Sequence, residues 1–134
     1  MNTESKKAMR RIWPPLLSGL FVFMIFRFVF LLGYVPTSSM EPTLEKDSYF
    51  LAVRIYRELK VGDIIVFERE GQLLVKRIAG GPGDVVLQGN DYLMVPEEHY
   101  YMLGDNPGNS YDSRFWEEPF IETAQIVARV VLAR

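Results

Sequence analysis

Hydrophobic positions follow two different patterns, and the pattern changes near residue 35. Residues 16–35 form an almost continuous apolar run of 20 residues that carries one charge, Arg27. A helix of this length is about 30 Å long, which matches the hydrocarbon core of a bilayer. The run therefore predicts a transmembrane helix over residues 16–35, preceded by a basic N-terminal segment over residues 1–15.

Beyond residue 35 the apolar positions form short runs rich in Val, Ile, Tyr and Phe, which are typical of strands. Glu70-Gly71 and Gly89-Asn90-Asp91 lie between such runs and indicate hairpin turns. The regular spacing predicts a mainly β fold, a small antiparallel barrel-like or sandwich domain over residues 36–134. The predicted strands are residues 49–56, 63–67, 73–79, 84–87, 92–95 and 126–132.

Charge is distributed unevenly between these two parts of the chain. Residues 1–35 carry five basic residues and one acidic residue, a net of +4, which leaves −6 for the remainder. Basic residues before an apolar helix favour a cytoplasmic or matrix N-terminus, so the β-rich part would lie across the membrane. An acidic domain lacks the basic face that nucleic acid requires. We therefore expect contact with membrane lipid and none with nucleic acid.

Two features of the apolar run allow more than one interpretation. Arg27 either contacts an acidic group in a neighbouring helix or extends its side chain towards the outer interface. A charged segment followed by an apolar run also resembles a cleaved signal peptide. The run is long, however, and no small-residue cleavage site follows it. We therefore expect the segment to be retained as an anchor.

Residue counts restrict the chemistry that the chain can perform. There is no cysteine and only one histidine, His99, so thiol chemistry and disulfides are excluded and histidine-assisted catalysis has a single candidate. A hydrolase built from this chain would naturally pair a serine with a lysine. The loop PTSSMEPT, residues 36–43, contains two serines between prolines, although such a loop is also typical of a plain turn. A serine hydroxyl needs a neighbouring base before it becomes a good nucleophile.

Lys76 is the candidate base. Period-two alternation in the run LLVKRIA places Lys76 on the same strand face as Leu74 and Ile78. If that face is buried, desolvation lowers the lysine pKa and permits general-base chemistry. If Leu73 and Val75 form the buried face instead, Lys76 faces solvent. Periodicity leaves both alternatives open, because both faces carry apolar residues.

A third polar segment, GDNPGNSYDSR over residues 104–114, is punctuated by glycine and proline. Its Asp, Asn and Ser side chains are suited to hydrogen-bonding and orienting a buried ammonium group. The same composition is also typical of an ordinary polar turn. The spacing of an EF-hand and its terminal Glu are absent, so no metal site is predicted.

Together the three segments resemble the type I signal peptidases, which are membrane-anchored serine–lysine peptidases. PTSSMEPTL is similar to the nucleophile box of that family, VKRIAGGPGD to its general-base box, and GDNPGNSYDSR to its late box. The resemblance covers residues 16–115. It implies a serine endopeptidase that cleaves signal peptides from exported or membrane-translocated preproteins, without a metal or organic cofactor.

The resemblance also implies a role for each matching residue. Ser39 would be the nucleophile and Lys76 the general base; Thr37 would join the Ser39 amide in the oxyanion hole, and Ser110 would position the lysine. Structural support would come from Arg77, Asp105, Asn106, Asp112 and Arg114, and the substrate pocket from Val35, Leu44 and Val75. Only 19 residues separate the base box from the late box, which indicates a minimal catalytic core. Pro107-Gly108 departs from the charged residues common in the late box and leaves the local loop shape in doubt.

Two other functions remain open at this point. One is a specialised peptidase that processes a few dedicated precursors of the pilin or inner-membrane type. The other is a catalytically inactive, membrane-anchored binding domain. The resemblance implies the bacterial cytoplasmic membrane, with the catalytic domain outside, and the mitochondrial inner membrane is the alternative. A paralogous chain or a translocon is a further candidate partner.

Overall fold

The computed structural model describes residues 3–133, which form one long N-terminal helix followed by a mainly antiparallel β-domain. The helix, α1, is Thr3–Phe28. This arrangement confirms the predicted fold class. The strands are β1 Phe30–Tyr34, β2 Tyr49–Val53, β3 Ile64–Arg69, β4 Gln72–Gly80, β5 Val85–Gln88, β6 Asp91–Met94, β7 His99–Leu103, β8 Phe120–Glu122 and β9 Ile126–Ala133. Two 3₁₀ turns, Pro107–Asn109 and Thr123–Gln125, lie between strands.

The helix ends seven residues earlier than predicted, so the assignment of residues 16–35 to one helix is wrong in its last part. Residues Phe30–Tyr34 form β1, which pairs antiparallel with β2. Pairing with β2 satisfies the backbone of this segment, and Gly33 lets the Phe50 ring pack closely against it. The 20 residues Met9–Phe28 remain long and apolar enough to cross a membrane, by length and composition.

Seven strands form one antiparallel sheet in the order β1-β2-β9-β3-β4-β7-β8, and β5 and β6 form a separate hairpin. The sheet has two ends, β1 and β8, so the described strands do not close into a barrel. The predicted hairpin turns are confirmed. Glu70 and Gly71 both have positive φ between β3 and β4, and Gly89 has positive φ between β5 and β6.

Two apolar cores lie on opposite faces of β3, because successive side chains of a strand point in opposite directions. Val66 belongs to the first core, and Ile65 and Phe67 belong to the second. The first core also contains Val35, Met40, Leu44, Phe50, Ala52 and Ala128. The second also contains Ile78, Met102, Trp116, Ile121 and Ile126. The first core therefore anchors the loop that carries Ser39, and the second anchors the strand that carries Lys76.

Candidate active site

The loop that carries Ser39 is held from both sides. Its neighbour Met40 is buried in the first core, as is Leu44, whose amide donates to the Met40 carbonyl at 2.9 Å. On the other side, the Asn106 amide donates to the Ser39 carbonyl, and the Asn106 side chain donates to the Ser38 carbonyl, both at 3.0 Å. Ser39 itself is only 7% exposed. Asn106 thus ties the segment 104–114 to the loop that carries Ser39.

Lys76 lies on the buried face of β4. Lys76 is 5% exposed and Ile78 is fully buried, whereas Leu73 on the opposite face is 59% exposed. Packing therefore decides between the two alternatives that periodicity left open. The Lys76 ammonium donates to Ser39 Oγ at 2.7 Å. The two side chains lie far apart in the sequence but are in direct contact in the structure.

The surroundings of Lys76 alter its acidity. Burial lowers the pKa of Lys76, and the negative charge of Asp112 partly opposes this change by raising it. A lowered pKa makes the neutral amine more accessible near physiological pH, as a general base requires. A distance of 2.7 Å from base to hydroxyl is within the range for direct proton transfer.

Thr37 and Ser110 carry the two other hydroxyl groups that the motifs assign to this site. Thr37 Oγ1 is 3.3 Å from Ser39 Oγ. Ser110 is buried, and its hydroxyl forms no hydrogen bond with Lys76 in the described chain; it lies close enough to Asp112 to lower the pKa of that carboxyl. Ser110 is nevertheless close to the Ser39 loop. A side chain added at Gly104 would collide with Ser110 Oγ and would lie 2.6 Å from the Ser39 carbonyl oxygen.

Two ion pairs support the site. Arg77 binds Asp105 through Nε at 2.8 Å and also donates to the Gly62 carbonyl at 2.6 Å. Arg114 binds the fully buried Asp112 through Nε at 2.8 Å and a terminal nitrogen at 2.7 Å. Such two-point pairs fix geometry as well as charge. The motif resemblance implies structural support from these four residues, and each of them has an ion-pair partner.

The carboxylates of both pairs have altered acidity. The hydrogen bond from Arg77 lowers the pKa of Asp105. Burial alone would raise the pKa of Asp112, but the hydrogen bonds from Arg114 and the Gly104 amide outweigh it and lower that pKa. Both groups therefore keep a negative charge beside the site at neutral pH.

A cavity of 380 Å³ opens onto Ser39 and Lys76. Val35 and Leu44 do not line it, because they belong to the first core, and Val75 packs against that core from the opposite face of β4. Their proposed role as a substrate pocket gains no support from this cavity. The residues that line it are Thr37, Ser39, Arg69, Glu70, Gln72, Leu74, Lys76, Asn109, Tyr111 and Trp116.

Sequence reasoning missed most of this lining. Alternation along β4 predicts that Gln72 and Leu74 share a face with Lys76, so this wall was accessible from the sequence. Arg69, Tyr111 and Trp116 come from separate segments, and no local pattern indicates that they meet. Among residues 3–133, no group of three or more His, Asp or Glu residues is placed to hold a metal ion.

The chain is similar to known proteins over most of its length. A sequence model of the family described as "Signal peptidase, peptidase S26" matches residues 9–95 and 87–133. "Probable signal peptidase I-2" of Synechocystis is 35% identical over 117 residues, which cover 62% of this chain and 54% of that protein. This chain thus spans about half the length of the Synechocystis relative.

Two further relatives are covered more completely. "Signal peptidase I" of Bacillus amyloliquefaciens is 30% identical over 148 residues, which cover 82% of this chain and 80% of that protein. "Mitochondrial inner membrane protease subunit 1" of Schizosaccharomyces pombe is 32% identical over 124 residues, which cover 82% and 79%. The residues matched by the family model include all three polar segments and the β-domain.

Proposed function

Because the chain belongs to the signal peptidase family, peptidase S26, we propose that it is a membrane-anchored serine endopeptidase. Its substrates would be exported or membrane-translocated preproteins, from which it removes signal peptides. The observation that carries the proposal is the 2.7 Å hydrogen bond between Lys76 Nζ and Ser39 Oγ, made by two buried side chains at one cavity. A buried lysine in contact with a serine hydroxyl has little structural purpose but is suited to activating a nucleophile.

In the proposed reaction, neutral Lys76 takes the proton from Ser39 Oγ as that oxygen attacks the peptide carbonyl carbon. The negative oxygen of the tetrahedral intermediate accepts hydrogen bonds from the Ser39 amide and the Thr37 hydroxyl. Lys76 then gives its proton to the departing amine, which leaves an ester on Ser39. Water attacks that ester with Lys76 again as base, and Ser39 recovers its proton.

The charges beneath the site favour this proton transfer. Burial keeps Lys76 able to lose its proton, and the opposing influence of Asp112 keeps it basic enough to regain one. Arg114 pairs with Asp112, so the carboxylate remains ionised but its charge is partly balanced. Ser110 would orient the amine once its buried hydroxyl turns towards Lys76.

The helix and the sheet are directly connected, which suits action at a membrane surface. Only Val29 separates the end of α1 at Phe28 from the start of β1 at Phe30. If Met9–Phe28 crosses the membrane with the basic N-terminus inside, the catalytic sheet begins at the outer interface. Tethering there raises the local concentration of membrane-inserted substrates. We propose the bacterial cytoplasmic membrane, or alternatively the mitochondrial inner membrane, with lipid and preprotein as partners.

A narrower function is supported by one comparison. The chain covers 79% of the S. pombe relative, whose name describes a mitochondrial inner membrane protease subunit. A specialised peptidase with few dedicated precursors, acting with a paralogous chain, is therefore the second candidate. Profiling of protein N-termini after depletion separates the two functions. Uncleaved signal peptides on many proteins support general processing, and accumulation of a few precursors supports the specialised function.

The direct test uses the full chain, purified in detergent, and a precursor with small residues before its cleavage site. We expect wild type to cut the precursor at one position and Lys76→Met to have lost this activity. Met keeps most of the length of the side chain but has no amine. Lys60→Met is the matched control, because Lys60 is exposed and away from the cavity. Equal cleavage by wild type and Lys76→Met would refute the serine–lysine mechanism, and no cleavage by wild type would favour an inactive binding domain.

A further inference from the structure

The cavity extends well beyond Ser39 and Lys76, towards the turn between β3 and β4. Gln72, Leu74 and Lys76 alternate along one face of β4 and form one of its walls. At about 3.3 Å per residue, Gln72 lies about 13 Å from Lys76 along the strand. Arg69, which pairs with Gln72 across the hairpin, lies at the same far end. The cavity is thus long enough for several residues of an extended peptide.

The guanidinium of Arg69 is held rigidly at this far end. It lies 4.3 Å from the centre of the Trp116 ring, and a terminal nitrogen donates to the Glu118 carbonyl at 3.2 Å. Stacking on an aromatic face restricts the plane of the guanidinium, and its edge nitrogens can still donate within that plane. A rigid arginine loses little conformational freedom when a ligand binds to it.

The positive charge of Arg69 is only weakly balanced. Its side chain is 15% exposed, whereas that of Glu70 is 83% exposed and approaches Arg69 Nε only to 3.7 Å. A contact of that length to a solvent-exposed carboxylate contributes little stabilisation. Arginine has five N–H donors, and one hydrogen bond from a terminal nitrogen is accounted for at Glu118. The remaining donors are suited to a carboxylate, which binds a guanidinium at two points.

We propose that Arg69 forms a specificity subsite that binds the carboxylate of an Asp or Glu side chain in the substrate, about four residues from the scissile bond. The spacing follows from about 3.3 Å per residue in an extended peptide over the 13 Å between Lys76 and Gln72. The Gln72 side chain lies beside the same position and offers an amide donor. This inference rests on the proposed peptidase function.

The experiment measures the ratio of kcat/KM for two substrates that differ in one charged residue. A precursor is prepared with Asp, with Asn as its neutral match, or with the second pair Lys and Gln, at each position from five residues before to five after the cleavage site. We expect wild type to prefer Asp over Asn by about tenfold in kcat/KM at one position about four residues from the bond, as for a charge-assisted hydrogen bond. Arg69→Gln should bring this ratio close to one, and Arg69→Glu should reverse the preference to Lys over Gln.

Arg57→Gln is the matched control, because Arg57 is exposed and lines a different cavity. It should keep the wild-type ratio. Because each ratio is taken within one variant, a general loss of folding or activity cancels. The inference is overturned if no position shows an Asp preference, if the preference survives Arg69→Gln, or if Lys is preferred in wild type, which would indicate Glu70 instead.

A second measurement keeps this test separate from that of the peptidase function. The Asp and Asn peptides are titrated against Ser39→Ala by fluorescence anisotropy, which does not require cleavage. The subsite is supported if Ser39→Ala binds the Asp peptide more tightly than the Asn peptide and the double variant Ser39→Ala/Arg69→Gln binds both equally. This holds even if wild type cuts no precursor. Equal affinities overturn the subsite even if wild type cuts efficiently.

Discussion

At the scale of single residues, the proposed site depends on a lysine whose burial lowers its pKa. Lys76 is removed from water, contacts Ser39, and lies near the buried carboxylate of Asp112. These influences act in opposite directions on its pKa, and burial is the larger. The amine of Lys76 is therefore neutral more often than that of an exposed lysine, yet remains able to take up a proton, as the proposed mechanism requires.

The pH dependence of catalysis should report this balance. We expect kcat/KM to rise with pH as Lys76 loses its proton, with a midpoint below the ordinary lysine pKa of 10.5. Asp112 raises the pKa of Lys76, so Asp112→Asn should move the midpoint to lower pH. Glu45→Gln, which changes an exposed carboxylate, should leave the midpoint unchanged. A midpoint at or above 10.5, or an upward shift in Asp112→Asn, would contradict this assignment.

The same lowered pKa has a consequence for stability. Below the folded-state pKa of Lys76 the protonated amine is buried, which lowers the free energy of unfolding. Between that pKa and the unfolded value of 10.5 the unfolded chain binds more protons, so the contribution of Lys76 to stability rises with pH. Stability should therefore begin to rise near the pH at which activity reaches its midpoint and continue to rise towards pH 10.5, as urea unfolding at several pH values can measure.

Several residue-level features were accessible from the sequence and others were not. The residues of Arg77–Asp105 and Asp112–Arg114 were named from the sequence motifs, and the structure pairs them. The buried face of Lys76 was undecided, because alternation identifies two faces but packing determines which one is covered. Ser110 lacks the expected bond to Lys76 within the described chain, because hydroxyl direction depends on atomic contacts that no motif encodes.

At the scale of elements, the Ser39 loop and the segment 104–114 form a close contact at Gly104. A Cβ at that position would overlap Ser110 and would lie 2.6 Å from the Ser39 carbonyl oxygen, where main chain must shift. We expect Gly104→Ala to lower the free energy of unfolding by about 1–3 kcal/mol, as overpacking does. Displacement of Ser39 should also lower kcat.

Gly108→Ala is the matched control for this effect. Gly108 lies in the same segment, but a Cβ there meets no atom within 4 Å. Thermal unfolding and steady-state cleavage of both variants give the comparison. Wild-type stability and kcat in Gly104→Ala would show that the loop and the segment are not held together as described.

Strand prediction succeeded where alternation and turn chemistry agreed, as in β3 and β4 around Glu70-Gly71. It failed for β1, β7 and β8. β1 continues the apolar run of the helix, so composition cannot mark the boundary at Val29. β7 pairs with the distant β4, and β8 has only three residues, so no local hairpin signal marks either strand.

At the scale of the whole molecule, the anchor and the β-domain meet between α1 and β1, and truncation should reveal that boundary. A chain that lacks residues 1–28 keeps β1 and its pairing with β2. We expect it to unfold cooperatively, with a midpoint close to that of the full chain in detergent. A chain that lacks residues 1–35 loses β1, and in addition Val35, which is buried in the first core. That loss alone should cost about 1.5–3 kcal/mol.

Urea unfolding of both truncated chains, followed by tryptophan fluorescence, measures this difference. Trp116 is buried in the second core and is retained in both. Equal stability of the two chains would mean that β1 is not an integral strand of the domain. If both truncated chains are already unfolded without urea, α1 contributes directly to the stability of the sheet.

The central claim, that Ser39 is the nucleophile, is tested most directly by comparing two adjacent serines. The measurement is kcat/KM for precursor cleavage by purified wild type, Ser39→Ala and Ser38→Ala. Ser39 Oγ contacts Lys76 Nζ, whereas the recorded contacts of Ser38 are made by its carbonyl oxygen. We predict that Ser39→Ala loses at least about 10⁴-fold, while Ser38→Ala stays close to wild type. Wild-type cleavage by Ser39→Ala would contradict the account.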